Sequence, residues 1–147
     1  MDLEQRFNVL INRDEPKTRA QLDALYAAAE PVDEDFMLGD WAGHTFGYGH
    51  PAEAQLQALR WAGKRFGSRE DVDPIVCLDE NGARVANPIL GSARLRSVVH
   101  LGRPTATMVY DSQPIFDHFR RISDRIVMGA MDRKGEKAPG YFYLVRL

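Results

Sequence analysis

Apolar positions recur at helical spacing near the start of the chain. Leu22, Leu25, Tyr26 and Ala29 fall at i, i+3, i+4 and i+7, which places them on one face of a helix. This predicts a helix over 17–30, stopped by Pro31, whose ring cannot continue the hydrogen-bond ladder. Leu3, Phe7, Leu10 and Ile11 repeat the spacing upstream and predict a shorter helix broken near Asp14 to Pro16. From Gly39 to His50 the chain runs GDWAGHTFGYGH, dense in glycine and aromatics, as suits a strand that bends or closely approaches other backbone. After Pro51, Leu56, Leu59 and Phe66 sit at helical spacing in AEAQLQALRWAGKRFG. They predict one amphipathic helix over 52–66, ended by Gly67.

The second half reads mostly as strand. Ile75 to Leu78 is a short apolar run, and Asn81-Gly82 just beyond it is a strong hairpin signal. Ser92 to Leu101 and Thr105 to Tyr110 are strand-like and joined at Gly102-Arg103-Pro104. Ile115 to Ile122 reads as a helical turn with Ile115, Phe119 and Ile122 on one side. Arg125 to Met131 and Tyr141 to Leu147 are further strands, separated by the polar loop Asp132 to Pro139. No internal repeat, low-complexity tract or linker interrupts the chain, which predicts one domain over 1–147. The expected class is mainly β (α+β): a small antiparallel barrel with an N-terminal helix and a helical cap after the first strand. An open sheet with one helical cover is the alternative.

Composition narrows the function classes. The 147 residues are 44 % hydrophobic and 27 % charged, and 19 Lys+Arg against 21 Asp+Glu give a net charge of −2. That balance supplies no general attraction to nucleic acid. The single cysteine, Cys77, excludes an intramolecular disulfide framework and lies in the apolar run IVCL, where an inert buried thiol is the default. No stretch approaches the ~20 apolar residues of a membrane-spanning helix, and the first residues carry acids without a signal-peptide apolar run. A cytoplasmic location is the expectation.

Alternation along a regular strand from Gly39 puts Gly39, Trp41, Gly43, Thr45, Gly47 and Gly49 on one face, and Asp40, Ala42, His44, Phe46, Tyr48 and His50 on the other. An inward face of glycines leaves room either for a ligand or for bulky neighbours. The pattern GDWAG followed by HTFGYGH, with WAGKRF at Trp61 to Phe66, resembles the GXWXG domain family of bacterial proteins. YDSQPIFDHFR (Tyr110 to Arg120), VMGAMDRKG (Val127 to Gly135) and the terminal YFYLVRL resemble that family's C-terminal partner, a domain of unknown function. The resemblance brings no activity with it. A Gly-x-Trp in the first strand and an arginine in the last also resemble the calycin group of lipocalins and fatty-acid-binding proteins. That likeness implies a lipocalin-like barrel in which Trp41 plugs one end and Arg146 packs across it.

Catalytic signatures are missing. There is no phosphate-binding glycine loop, nucleotide fingerprint, G-x-S-x-G elbow or H-E-x-x-H helix. His44 and His50 share a strand face but would lie ~20 Å apart when extended, too far for one metal unless the strand folds back after Gly47. Haem needs an axial ligand within the barrel, and the last two strands carry no histidine, so a haem-binding barrel is a secondary reading. Tyr110 to Arg120 is the densest polar segment. Asp117 and Arg120 at i, i+3 suit an ion pair on a helical turn capped by Asp111 or Ser112. If Arg120 points inward, it pairs instead with an acidic head group. Arg60, Lys64 and Arg65 give the 52–66 helix a basic side, which predicts either a solvated face or a portal meeting anionic head groups, with transient membrane-surface contact. Met108, Met128, Met131, Tyr110, Tyr141, Phe142 and Tyr143 offer an adaptable apolar lining.

These residues together predict an intracellular binding protein for a hydrophobic small molecule, lipid or fatty acid with an anionic or polar head, held in a barrel cavity without a cofactor. The candidate ligand contacts are Trp41, His44, Tyr48, Lys64, Tyr110, Arg120 and Arg146. One rival is an enzyme acting on a hydrophobic metabolite, drawing its acid–base pair from Asp40, His44, Tyr48, Tyr110 or Asp111. Another is a side-chain-filled barrel that binds other proteins through its surface.

Overall fold

The computed structural model describes residues 1–147. Two helices open the chain, α1 (Leu3–Ile11) and α2 (Arg19–Ala28), each started by a reciprocal capping box, Asp2 with Gln5 and Thr18 with Gln21. A two-residue strand β1 (Glu30–Pro31) and a single helical turn α3 (Glu34–Met37) lead into β2 (Gly39–Thr45). After α4 (Pro51–Ala58) come β3 (Trp61–Phe66), β4 (Val72–Leu78), β5 (Arg84–Ala86), β6 (Ala93–His100), β7 (Arg103–Tyr110), β8 (Ile115–Arg121), β9 (Ile126–Arg133) and β10 (Gly140–Arg146).

Strands β2, β3, β4, β6, β7, β8, β9 and β10 pair antiparallel in a ring, closed by β10 on β2 and by β8 on β9. Closure removes the unpaired edges that an open sheet would expose. One seam is thin: β4 and β6 pair only at Val72 and Ala93 before they splay, and a 3-10 turn, Pro88–Leu90, lies beside the gap. The apolar side chains divide into two clusters. Trp41, Phe66, Leu95, Met108, Ile115, Phe119 and Leu144 fill the barrel. Phe7, Leu22, Leu25 and Tyr26 press α1 and α2 onto the outside of the sheet, against Met128, Ala130 and Tyr141.

One expected helix is strand in its second half, and another is strand throughout. The helix predicted over 52–66 stops at Ala58, because Arg60 turns left-handed (φ +55°) and the chain reverses into β3. Leu56 and Leu59 belong to the helix and cap, whereas Trp61 and Phe66 are strand formers that fell at helical spacing by coincidence. The helical turn predicted over 115–122 is β8, so alternation rather than i, i+3 spacing governs its side chains. Ile115, Asp117 and Phe119 point in; Phe116, His118 and Arg120 point out. The β6–β7 turn falls at Leu101-Gly102, one residue earlier than expected.

Glycine matters where elements touch. A Cβ on Gly43 would meet the Trp61 ring at 2.4 Å. The space that Gly43 leaves on the inward face is thus taken by a bulky neighbour. Gly63 has φ +144°, and a Cβ there would meet the Trp41 carbonyl oxygen at 1.9 Å. It sits in an irregular stretch of the β3–β4 register, a bulge of the kind that re-aims side chains.

Candidate ligand cavity

The end of the barrel near the chain's last residues is shut. The Arg146 guanidinium lies 4.3 Å from the Trp41 ring centre and 4.8 Å from that of Phe36, and donates to the Phe36 and Leu38 carbonyls at 2.7 and 3.4 Å. Trp41 Nε1 donates to the Met37 carbonyl at 2.8 Å. Trp41 and Arg146 therefore fasten α3 across the barrel end, and neither lines the cavity at the other end. The stack combines packing with a cation–π term of about 1–2 kcal/mol.

Towards the other end the barrel holds a partly open cavity of about 350 Å³. Its walls are Trp61, Ile75, Ile89, Leu90, Tyr110, Ile115, Met131 and Phe142, and α4 lays Ala52, Leu56 and Ala58 across the mouth, continued by Leu59. α4 has no buried residue of its own. It is tethered by Glu53, whose carboxylate accepts the amide N–H groups of Gly47, Tyr48 and Gly49 at 2.9, 3.1 and 2.9 Å. A wider hollow of about 810 Å³ is an open cleft outside the barrel between His44, Tyr143 and α4. The smaller, less open and mainly apolar space, with few polar groups, is the better candidate ligand site.

Those polar groups are Lys64 and Asp117, with Gln55 and Arg133 at the margin. The bulge at Gly63 brings Lys64 to the interior beside Trp61, although the two are three residues apart. Lys64 Nζ lies 3.3 Å from Asp117 Oδ2 and donates to the Pro74 carbonyl at 3.0 Å. The rings of Phe142, Trp61 and Tyr110 stand 5.2, 5.6 and 5.9 Å from it. Asp117 Oδ1 has no partner, and neither has Trp61 Nε1, though both are buried. Unsatisfied buried polar atoms cost about 1–3 kcal/mol each, so one acceptor and one donor stand without partners among the residues that line the cavity. Burial pulls the Lys64 ammonium below its ordinary range, opposed by Asp117. It pushes the Asp117 carboxyl up, opposed by Lys64. Tyr110 is also raised, first by burial and then by the Asp117 charge.

Of the residues proposed from sequence, Lys64 and Tyr110 border this cavity. The others do different work. His44 faces outward, stacked on Tyr143 at 4.9 Å, and partial burial lowers its pKa. Tyr48 accepts the Tyr141 amide N–H at 2.8 Å outside the barrel. Arg120 donates to the Tyr26 carbonyl at 3.1 Å and covers that ring at 4.6 Å, which ties α2 to the sheet; it anchors no head group and is not paired with Asp117. Asp111 caps nothing: it accepts the Ser92 hydroxyl at 2.8 Å and pairs with Arg94 at 2.7 Å on the surface. Lys64 and Arg65 lie in β3, so the basic helix side is dissolved; Arg65 pairs with Asp73 and Asp71. Met128, Tyr141 and Tyr143 belong to the outer packing under α1 and α2. Gly47 lies beyond β2 at φ +71° with open space around it. Asp117, Trp61 and Arg133 were not among the proposed contacts.

No histidine lines the cavity, so the haem reading has no imidazole there to use. A different group of metal-type donors sits on the outer face: atoms of His100, His118 and Asp132 lie within 4.8 Å of one another. His118 is already engaged on both nitrogens, by Thr107 Oγ1 and by Asp132 Oδ2, each at 3.0 Å. Cys77 is a buried free thiol in β4. No helix is long and apolar enough to cross a membrane.

An antiparallel eight-stranded barrel, shut at one end by a tryptophan–arginine stack and roofed at the other by a short helix, defines a calycin-like barrel with an internal cavity. The chain belongs to the GXWXG family: the model described as GXWXG protein matches residues 24–82, and that of a domain of unknown function (DUF4334) matches residues 91–146. The crystal structure of a protein from Thermomonospora curvata is similar over 100 % of this chain and 99 % of that one, at 44 % identity and TM-score 0.93. No protein of curated function matches the chain. The two matched segments share one barrel, since β2, β3 and β4 come from the first and β6 to β10 from the second. They meet at the cavity, where Lys64 of the first faces Asp117 of the second.

Proposed function

We propose that this barrel binds one compact apolar small molecule, with its polar end at Lys64 and Asp117. The observation that carries the reading is a mainly apolar cavity holding a single buried ion pair with an unpartnered carboxylate oxygen. At ~30 Å³ per water, 350 Å³ holds about a dozen waters, which favours a short guest over a long-chain lipid. The charge of Lys64 is already matched by Asp117, so a neutral hydroxyl or carbonyl head suits the site better than an anionic one. The Asp117 carboxylate would accept from a hydroxyl, and Lys64 would donate to either. Membrane-surface contact loses its support with the basic helix side.

The test is gentle native mass spectrometry of freshly purified protein, with organic extraction and an absorption spectrum. The expected result is a co-purifying apolar mass, or uptake of an added short aryl alcohol, that is lost in Ile115→Trp, where a bulky ring fills the cavity. Protein that arrives empty and takes up no such alcohol would overturn the reading, and a Soret band would reinstate haem.

A further inference from the structure

We propose that Lys64 captures its guest covalently, condensing with the carbonyl of a short apolar aldehyde or ketone to form an imine for which Asp117 is the counter-ion. This rests on the reading of the cavity as a small-molecule site and adds the substrate class and the bond. Lys64 carries the one amine among the lining side chains, and its partners are suited to both ends of the reaction. The Asp117 carboxylate at 3.3 Å and the rings of Phe142, Trp61 and Tyr110 hold a cation at this point. A protonated imine at the same nitrogen is also a cation, so the conversion buries no new charge.

The step balances with these two side chains alone. Asp117 takes a proton from the ammonium, leaving a neutral amine beside a neutral carboxyl, and the apolar surroundings favour that pair. The amine nitrogen attacks the carbonyl carbon, and a proton passes from nitrogen to the former carbonyl oxygen to give a carbinolamine. Asp117 then returns its proton to that hydroxyl, the C–O bond breaks, water departs and the nitrogen lone pair completes the C=N bond. One water is released and nothing is oxidised or reduced. The cover of α4 limits the water that would reverse the reaction.

The experiment uses the full chain with 3-phenylpropanal, sodium cyanoborohydride, intact mass and peptide mapping. The expected product is one adduct, heavier by the aldehyde less one oxygen, on Lys64 and suppressed by 3-phenylpropanol. Lys64→Arg, which keeps the ion pair, should abolish it, and Asp117→Asn should slow it by about 100-fold. Labelling spread over Lys17, Lys134, Lys137 and the N-terminus at equal rates in wild type and Lys64→Arg would overturn the proposal. Tryptophan fluorescence with 3-phenylpropanol separates the two levels. If the alcohol binds and Lys64 stays unlabelled, the imine fails and the cavity reading stands; if neither occurs, both fail.

Discussion

Lys64 and Asp117 meet 3.3 Å apart from opposite walls of the barrel, on β3 and β8, with side chains only 3 % and 2 % exposed. Removing one charge strands the other in an apolar interior. Lys64→Met or Asp117→Leu alone should therefore cost about 3–5 kcal/mol in urea unfolding. The double variant should recover most of that loss, because replacing a buried pair by apolar side chains is often neutral or stabilising. Additive losses would mean that the two side chains contribute independently, without coupling between their charges.

The glycines of the barrel wall should rank by what surrounds them. Gly63→Ala meets backbone at 1.9 Å and requires a left-handed φ, so it should be the most damaging and move Lys64 away from Asp117. Gly43→Ala displaces the Trp61 ring and crowds the Gly63 backbone at 2.8 Å, an overpacking of about 1–3 kcal/mol. Gly47→Ala has open space and only its φ of +71° to accommodate, about 1–2 kcal/mol. Thermal unfolding of the three variants gives the order directly.

The barrel was legible because most of its strands announce themselves. Turn signals at Asn81-Gly82 and Gly102 and alternation through Ser92–Tyr110 survive any error of a residue or two, and Trp41 and Arg146 fell in the first and last barrel strands as the calycin likeness implied. The cavity was less legible. Trp61 to Phe66 carries apolar residues at positions that also satisfy a helix, and only the left-handed Arg60 and the bulge at Gly63 decide for a strand. That misreading put Lys64 on a solvated helix face. Reading Ile115 to Ile122 as a helix likewise paired Asp117 with Arg120, whereas the alternation Ile115-x-Asp117-x-Phe119 would have shown a carboxylate among inward apolar side chains. No local pattern reveals that β3 and β8 stand opposite each other; that is a property of ring closure.

Acid should weaken the fold through His100. Its ring stacks on His118 at 3.9 Å and lies beside Asp132 and Arg120; burial, then the His118 charge, lowers its pKa to about 4. The unfolded chain, with an ordinary value near 6.5, binds the proton first as pH falls. The stability His100 contributes is therefore complete above about pH 6.5 and is lost as pH falls towards about 4. His100→Phe keeps a stacked ring without the titration. The melting temperature of wild type should fall more than that of the variant between pH 7.5 and 4.5, by a modest amount because His100 is partly exposed.

Leu101 is the first residue of the two-residue β6–β7 turn at φ +51°, followed by Gly102 at φ +78°, and its side chain is 66 % exposed. A turn with both central residues left-handed favours Asn-Gly. Leu101→Asn should raise stability by about 1 kcal/mol, read from chemical denaturation, with the cavity unaffected.

The roof over the cavity differs in kind from its walls. Apart from the thin β4–β6 seam, the walls are a hydrogen-bonded ladder, whereas α4 contributes no buried residue and hangs from the Glu53 carboxylate and a handful of apolar contacts. Swinging such a helix aside is a microsecond-to-millisecond event. For the guest proposed above, dwell time would then depend on the clasp between Glu53 and the 47–49 amides, and on the β4–β6 seam beside Ile89 and Leu90, as much as on anything inside the chamber.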